Sequence, residues 1–313
     1  MLIEEGLQAL ARIPPRATVS VGNFDGLHLG HRQILAIARQ LRDQHGDGEL
    51  IVVTFEPHPL TVLKPELAPP RITSPRLKHA ILESVGVDRV ILLPPSKDVL
   101  GTTAEDFFVL LRDRARVRHL VEGEDFNFGR GRGGNIDRLR EWCARDGIGL
   151  TTVEGVTVRL TDRSTVPVSS SLIRWLIAHG RAEDAALCLG RPFTIEGIVE
   201  HGEQRGRTIG FPTANVAISH EPLLLAGGVY AARWNIDGID RAVALSVGAK
   251  ETFHDQHRVV VEAYVLDFSG DLYGRNALIE VIGWLREQTK YPSVESLIEQ
   301  LHRDVARVRE IAT

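Results

Sequence analysis

A chain of 313 residues, 43% of them hydrophobic, is long enough for two domains with separate cores. Its formal net charge is −4, with acidic and basic residues mixed along the chain, which argues against a non-specific nucleic-acid binder and its basic stripe. Cys143 and Cys188 show no metal or redox spacing, no apolar run nears the roughly 20 residues of a spanning helix, and "MLIEEGLQAL" lacks a secretory pattern. The expectation is a reduced cytoplasmic protein with no nucleic-acid or membrane partner. The sequence leaves the oligomeric state open.

The first half alternates strand and helix patterns. "ATVSVGNF" (17–24) predicts a strand, and "HRQILAIARQLRDQ" (31–44) a helix with apolar residues at 34, 35, 37, 38 and 41. "ELIVVTF" (49–55) is the continuous apolar run of a strand buried on both faces of a parallel sheet. Helices at 74–86, 103–115 and 135–147 then alternate with strands at 87–94, 117–126 and 148–156. This βαβα series predicts an open parallel α/β sheet with right-handed crossovers, Rossmann-like in plan.

The pattern changes after about residue 186. "FTIEGIVEHG", "GVYAARWNID", "IDRAVALSVG", "RVVVEAYVLDF" and "ALIEVIGWLRE" predict short strands, and their spacing predicts a small β-barrel. A helix at 293–311 follows, with apolar residues at 294, 297, 298, 301, 305 and 308. The expected domains are 1–186 and 187–313, joined near Arg181–Gly190.

Ligands of open α/β sheets bind beyond the carboxyl ends of the strands. There "GNFDGLHLGHR" (22–32) places Gly22, Asn23, Phe24 and Asp25 at a strand end and begins a helix near Gly30. The free amides and positive end of that helix favour an anion, and Gly26 and Gly30 admit a large group to the backbone. His28 and His31 lie just before and within the first turn, where both imidazoles can aim at one phosphoryl group. A zinc site would need further ligands than Asp25 supplies.

Two more motifs stand in the second half. In "HGEQRGRTIGFPTANV" (201–216), Gly206, Gly210 and Pro212 shape a tight loop, and Thr213 and Asn215 offer oxygens suited to a hard cation such as Mg²⁺. It is not a Walker A loop, and composition alone leaves a structural turn equally open. In "RVVVEAYVLDF", alternation puts Glu262 on a face with Val260, Tyr264, Leu266 and Phe268. A carboxylate on an apolar face is expensive unless it has a task, such as accepting a proton from a hydroxyl that attacks a phosphoryl group.

"GNFDGLHLGH" resembles the H-x-G-H signature of the nucleotidyltransferase superfamily. With "TFEPHP" (54–59), "VEGEDFNFGRGRGG" (121–134) and "VSSSLIR" (168–174) in order, the first half resembles the adenylyltransferase module of bacterial bifunctional riboflavin kinase/FMN adenylyltransferases. The second half resembles their kinase module. The resemblance implies that ATP phosphates contact His28 and His31, helped by Asn23, and that Ser169, Ser170 and Arg174 bind the triphosphate. It implies a flavin and nucleotide cleft at His58, Asp125, Phe126 and Phe128. In the kinase it implies Mg²⁺ and nucleotide at the G-x-P-T-A-N stretch, Glu262 as the base toward the ribityl hydroxyl, and Arg286 near the flavin. The reactions implied are riboflavin and ATP to FMN, then FMN and ATP to FAD and pyrophosphate. Two departures stand out: Lys250-Glu251 precedes Thr252-Phe253 where a proline is usual, and Glu122 replaces an apolar residue. They motivate two alternatives. One is a diverged paralogue that binds flavin or nucleotide with an activity lost. The other is an enzyme of the same fold with a changed substrate.

Overall fold

Apolar runs of four to six residues pair side by side in the computed structural model, which describes residues 1–46, 48–202, 205–218, 225–250 and 258–312. Two compact units result, one of Met1–Pro69 with Pro75–Thr157, the other of Pro70–Ser74 with Val158–Thr313.

The elements of the first unit, in chain order, are β1 (Leu2–Glu5), β2 (Thr18–Val21), α1 (Leu29–His45), β3 (Leu50–Phe55), α2 (Leu60–Leu63), α3 (Pro75–Ser84), β4 (Arg89–Leu93), α4 (Lys97–Gly101), α5 (Ala104–Val109), β5 (His119–Gly123), β6 (Asn127–Phe128), β7 (Gly134–Asn135), α6 (Ile136–Asp146) and β8 (Gly149–Val153). The sheet order is β1-β4-β3-β2-β5-β8, and every pair is parallel. The chain winds from β2 outward through β3 and β4, then returns to β2's other side with β5. The direction of winding therefore reverses between β2 and β5, where open α/β sheets hold their ligands.

Edge strand β1 carries no visible apolar pattern, because Leu2 and Ile3 are exposed. Its backbone ladder to β4, from Leu2 opposite Arg89 to Glu5 opposite Leu92, holds it, and an ion pair through Glu4 adds to the ladder. Arg89 of β4 binds Glu4 at 2.5 Å and Glu49 at 2.7 Å. The helix expected at 103–115 is α5 running into a single wider turn of π type at Leu110–Arg114.

The second unit contains β9 (Thr157–Arg159), β10 (Thr165–Pro167), α7 (Ser170–Ala178), α8 (Ala182–Leu189), β11 (Phe193–Glu200), α9 (Arg205–Thr208), β12 (Ala214–Ile218), β13 (Gly228–Ile236), β14 (Ile239–Lys250), β15 (Arg258–Val265), β16 (Asn276–Arg286) and α10 (Val294–Ala312). Six strands close a barrel in the order β11-β12-β15-β14-β13-β16. Five were expected; the sixth, β12, is formed by the motif "TANVAI" itself. Ile173 and Ile177 of α7 and Ala185 and Leu189 of α8 share one core with barrel residues Ile195, Val216, Leu245 and Val261. Val308 and Ala312 of α10 pack on Ala231 and Leu266, with Tyr264 alongside. The Ser293 hydroxyl starts α10 by accepting from Ser296 N at 3.2 Å. Among the described residues, no helix is long and apolar enough to cross a membrane.

Candidate functional site

The loop after β2 reverses through three left-handed residues, Phe24 (φ 49°), Gly26 (φ 82°) and Leu27 (φ 43°). Burial of the Phe24 and Leu27 side chains holds this uncommon backbone in place. His28 ends the loop as the N-cap of α1, its Nδ1 accepting the His31 backbone N–H at 3.4 Å. An imidazole that accepts at Nδ1 carries its proton on Nε2, so His28 is a neutral donor at its other edge. The His28 and His31 rings stack with centroids 3.7 Å apart and 17° between planes. A side chain at Gly30 would press on the His28 ring, its Cβ only 3.3 Å from Nδ1. Burial, then the proximity of the His28 imidazole and of the Lys78 ammonium, hold the His31 pKa well below the ordinary imidazole value. His31 is therefore neutral at neutral pH, and its buried Nδ1 lacks a hydrogen-bond partner. The pair offers hydrogen bonds to an anion rather than two cations.

His58 joins the same site. Leu60 N–H donates to His58 Nδ1 at 3.1 Å, which puts the ring proton on Nε2. Asn23 Nδ2 stands 3.3 Å from that Nε2, two donors face to face. A half-turn of the amide resolves the conflict, so that Oδ1 accepts from His58 and the Asn23 NH2 turns away as a donor. Beneath the loop, Lys78 of α3 donates to the Asn23 carbonyl and to Thr54 Oγ1, both at 2.8 Å. Sequence reading missed Lys78.

The flavin candidates divide. Phe126 and Phe128 stack at 5.2 Å, but Phe128 is buried against Phe107 and Trp142, each at 6.2 Å, and belongs to the core. Phe126 is half-buried and Asp125 exposed. Ser169, Ser170 and Arg174 lie in the second unit. Ser169 caps α7 by accepting from Leu172 N at 3.2 Å, and Arg174 Nε donates to the Pro70 carbonyl at 2.7 Å.

On the barrel, the antiparallel registers set Glu200 opposite Asn215, Asn215 opposite Glu262, and Glu262 opposite Ser246. Residues opposite one another share a face. Four polar residues thus form one row across β11, β12, β15 and β14. The row lies on the outside: the neighbours that point inward, Val199, Val216, Val261, Ala263, Leu245 and Val247, are buried. Glu262 does share a face with Val260 and Tyr264; that face is the outer one, and its partners along the row are polar rather than apolar. Asn215, expected on a loop, is in β12, with Thr213 two residues before it. Gly202 leaves room for the Asn215 amide, since a Cβ there would meet its Cγ at 2.4 Å. Gly206 is similarly constrained by the Phe211 carbonyl, 2.2 Å from its would-be Cβ. Gly210 turns the loop with φ 86°. Arg286, at the end of β16, is held by the buried Asp304 of α10, with Nη2 to Oδ2 at 2.7 Å. Of the Lys250–Phe253 departure, residues 251–253 lie outside the described residues.

Two family models cover the chain in tandem: FAD synthetase over residues 11–170 and riboflavin kinase over 189–312. A bifunctional riboflavin kinase/FMN adenylyltransferase from Pseudomonas fluorescens is 35% identical, covering 100% of this chain and 98% of the relative. Its counterpart from Escherichia coli (strain K12) is 32% identical over 99% of this chain and 97% of its own. The chain belongs to the bifunctional riboflavin kinase/FMN adenylyltransferase family. A solved structure described as a macrolide-efflux protein from Streptococcus pneumoniae has the same fold, at a TM-score of 0.89 and 28% identity over 99% of both chains. Membership in this family favours the enzyme over the diverged binding protein.

Glu122 has a physical role at the β2–β5 divide. Those strands pair only at Thr18–His119 and Val19–Leu120 and then separate. Beyond the last pair, Glu122 Oε1 accepts the Val21 N–H at 2.8 Å, replacing a ladder bond at the mouth of the cleft. Burial raises its pKa well above the ordinary glutamate value, which the Val21 bond only partly offsets. The folded state therefore prefers the neutral acid. Stability is full below the unfolded pKa and falls as pH rises through the folded one. Glu122→Gln keeps the acceptor and removes the ionisation. Its unfolding temperature, measured by calorimetry, will exceed that of the parent at about pH 8, by roughly 2–4 °C per kcal/mol relieved, and the gap will close toward about pH 5.

Proposed function

We propose that the chain makes FAD in two steps, divided at residue 186. The barrel module (187–313) transfers the γ-phosphoryl group of ATP to riboflavin, giving FMN. The N-terminal module (1–186) joins FMN to the AMP of a second ATP, releasing pyrophosphate. The observation that carries this reading is the presence in one chain of the stacked His28–His31 pair at a strand-end anion cradle and of Glu262 abreast of Asn215 on the barrel.

In adenylyl transfer, an FMN phosphate oxygen attacks the α-phosphorus of ATP and the bond to pyrophosphate breaks. No covalent enzyme intermediate is needed. Gly22, Asn23, Phe24, Asp25 and Gly30 form the cradle, and the Nε2–H of His28 with the neutral ring of His31 stabilises charge that develops on the phosphates. Ser169, Ser170 and Arg174 are assigned to the triphosphate through the resemblance of their motif. His58, Asp125, Phe126 and Phe128 are assigned to the flavin side in the same way. Geometry supports His58 and Phe128 mainly as supports, the one for Asn23 and the other for Phe126.

In the kinase, Gly210 and Pro212 shape the nucleotide loop, and the oxygens of Thr213 and Asn215 would hold Mg²⁺. These donors are neutral, and among the described residues no three His, Cys, Asp or Glu side chains cluster to hold a metal. Such a set fits a cation that arrives with ATP phosphates as its main ligands. When bound, Mg²⁺ supplies neutralisation of the transferring phosphoryl group. Glu262 takes the ribityl hydroxyl proton, and Arg286, oriented by Asp304, faces the flavin. The cytoplasm is the proposed location, where the buried thiols Cys143 and Cys188 stay reduced.

Incubation of the purified chain with riboflavin, ATP and Mg²⁺, followed by chromatography of the flavins, tests the reading. FMN appearing first and FAD second is the expected result. Absence of both overturns it, and FMN alone removes the adenylyl step.

A further inference from the structure

Lys78 projects from α3, yet its side chain is only 5% exposed. Burying an ammonium is costly without close compensation. Its contacts include two 2.8 Å bonds to neutral oxygens, the Asn23 carbonyl and the Thr54 hydroxyl, and an ion pair with the Glu56 carboxylate at 4.0 Å. Thr54 Oγ1 also donates to the Asn23 carbonyl, at 3.1 Å. One carbonyl is thus gripped by two donors from two different elements, just before the loop turns left-handed at Phe24. A trans peptide is planar, with its C=O and N–H directed oppositely. Fixing the Asn23 carbonyl toward Lys78 therefore directs the Phe24 N–H to the opposite side of the loop. The same contact anchors the residue whose amide faces His58, and it leaves a fixed positive charge beneath the strand ends.

We propose that Lys78 is a positioning residue for adenylyl transfer, clamping the Asn23–Phe24 peptide and placing buried positive charge under the triphosphate cradle. The proposal rests on the two-step reading above. The value of such a clamp is preorganisation: loop donors that are fixed by the fold need no reordering when negative charge moves onto the leaving pyrophosphate. The charge has a second consequence at His31. That ring is faced by His28 and, from α3, by Lys78, whose own neighbour is Glu56. Loss of the lysine charge makes His31 easier to protonate.

The test uses the full chain, with riboflavin phosphorylation as the folding control. In Lys78→Met, kcat/KM for FAD formation from FMN and ATP is expected to fall about 100-fold, as for a misplaced catalytic group, while FMN formation changes less than about twofold. The acid limb of the remaining adenylyl-transfer activity is expected to move to higher pH. Lys78→Ala, which leaves a cavity, is expected to regain FAD formation several-fold on addition of ethylammonium but not of sodium at equal ionic strength. Parental rates in Lys78→Met, equal loss of both activities, an unmoved acid limb, or no ethylammonium rescue would each overturn the proposal. A parental chain that makes no FAD from FMN would instead overturn the two-step reading.

Discussion

Replacing Glu262 with glutamine will stop riboflavin phosphorylation and leave adenylyl transfer intact. The expected loss in kcat is about 1,000-fold, within the range for removal of a general base. Glutamine keeps the length and an acceptor oxygen, so the neighbouring row from Asn215 to Ser246 stays in register and riboflavin still binds. What disappears is a group able to take a proton. A primary alcohol is a poor nucleophile while it keeps that proton, and a loose phosphoryl-transfer transition state leaves positioning and charge to do the rest. KM for riboflavin should therefore change little while kcat collapses. Ser246, next in the row and the acceptor of a 2.8 Å bond from Gln288, cannot replace the base, because a neutral hydroxyl is far too weakly basic. Initial rates of FMN and FAD formation, with each substrate supplied separately, provide the check. A Glu262→Gln protein that phosphorylates riboflavin at the parental rate would remove Glu262 from the chemistry.

The architecture was legible because its signals are coarse. Continuous apolar runs such as Leu50–Phe55 marked a sheet buried on both faces, and alternation marked the barrel strands. What escaped has physical causes. Strand β1 is held by its backbone ladder to β4 and the Glu4–Arg89 ion pair rather than by buried side chains. Strand β12 is only five residues long and shares its sequence with the glycine- and proline-bearing motif at 201–216, so turn chemistry masked it. Alternation placed Glu262 with Val260 and Tyr264 but tells only which residues travel together, not which side is inside; here the outer side is also partly apolar, since Tyr264 packs toward α10. Lys78 did leave a signal. It shares the helical stripe of Ile81, Leu82 and Val85, and it is buried with Leu82. A lysine on the buried stripe of a helix that borders a phosphate loop is a candidate in its own right. Phe128 shows the reverse case, a residue of the flavin motif that the fold uses as core.

The second large effect is expected at His31. His31→Ala will lower FAD formation from FMN about 100- to 1,000-fold, the cost of losing one preorganised donor to a transition-state anion, and leave riboflavin phosphorylation unchanged. The stacked geometry explains why one ring cannot stand in for the other. His28 is fixed by its cap bond to the His31 backbone N–H, which survives in His31→Ala, so its Nε2–H stays aimed as before. The lost donor is the second ring, 3.7 Å away. Stability should move in the opposite direction to activity at low pH. Burial, the adjoining His28 imidazole and the Lys78 ammonium disfavour imidazolium at position 31 in the fold, whereas the unfolded chain protonates it at its ordinary pKa. The folded pKa is the lower one, so stability is full above the unfolded value and lost as pH falls through the folded value. His31→Ala cannot lose that increment. Denaturant midpoints of parent and variant, compared at about pH 7.5 and about pH 5, should converge or cross as the pH falls. A constant offset would mean that His31 enters the fold already able to carry charge, and the hydrogen-bonding role assigned to the neutral pair would then give way to that of a cationic clamp.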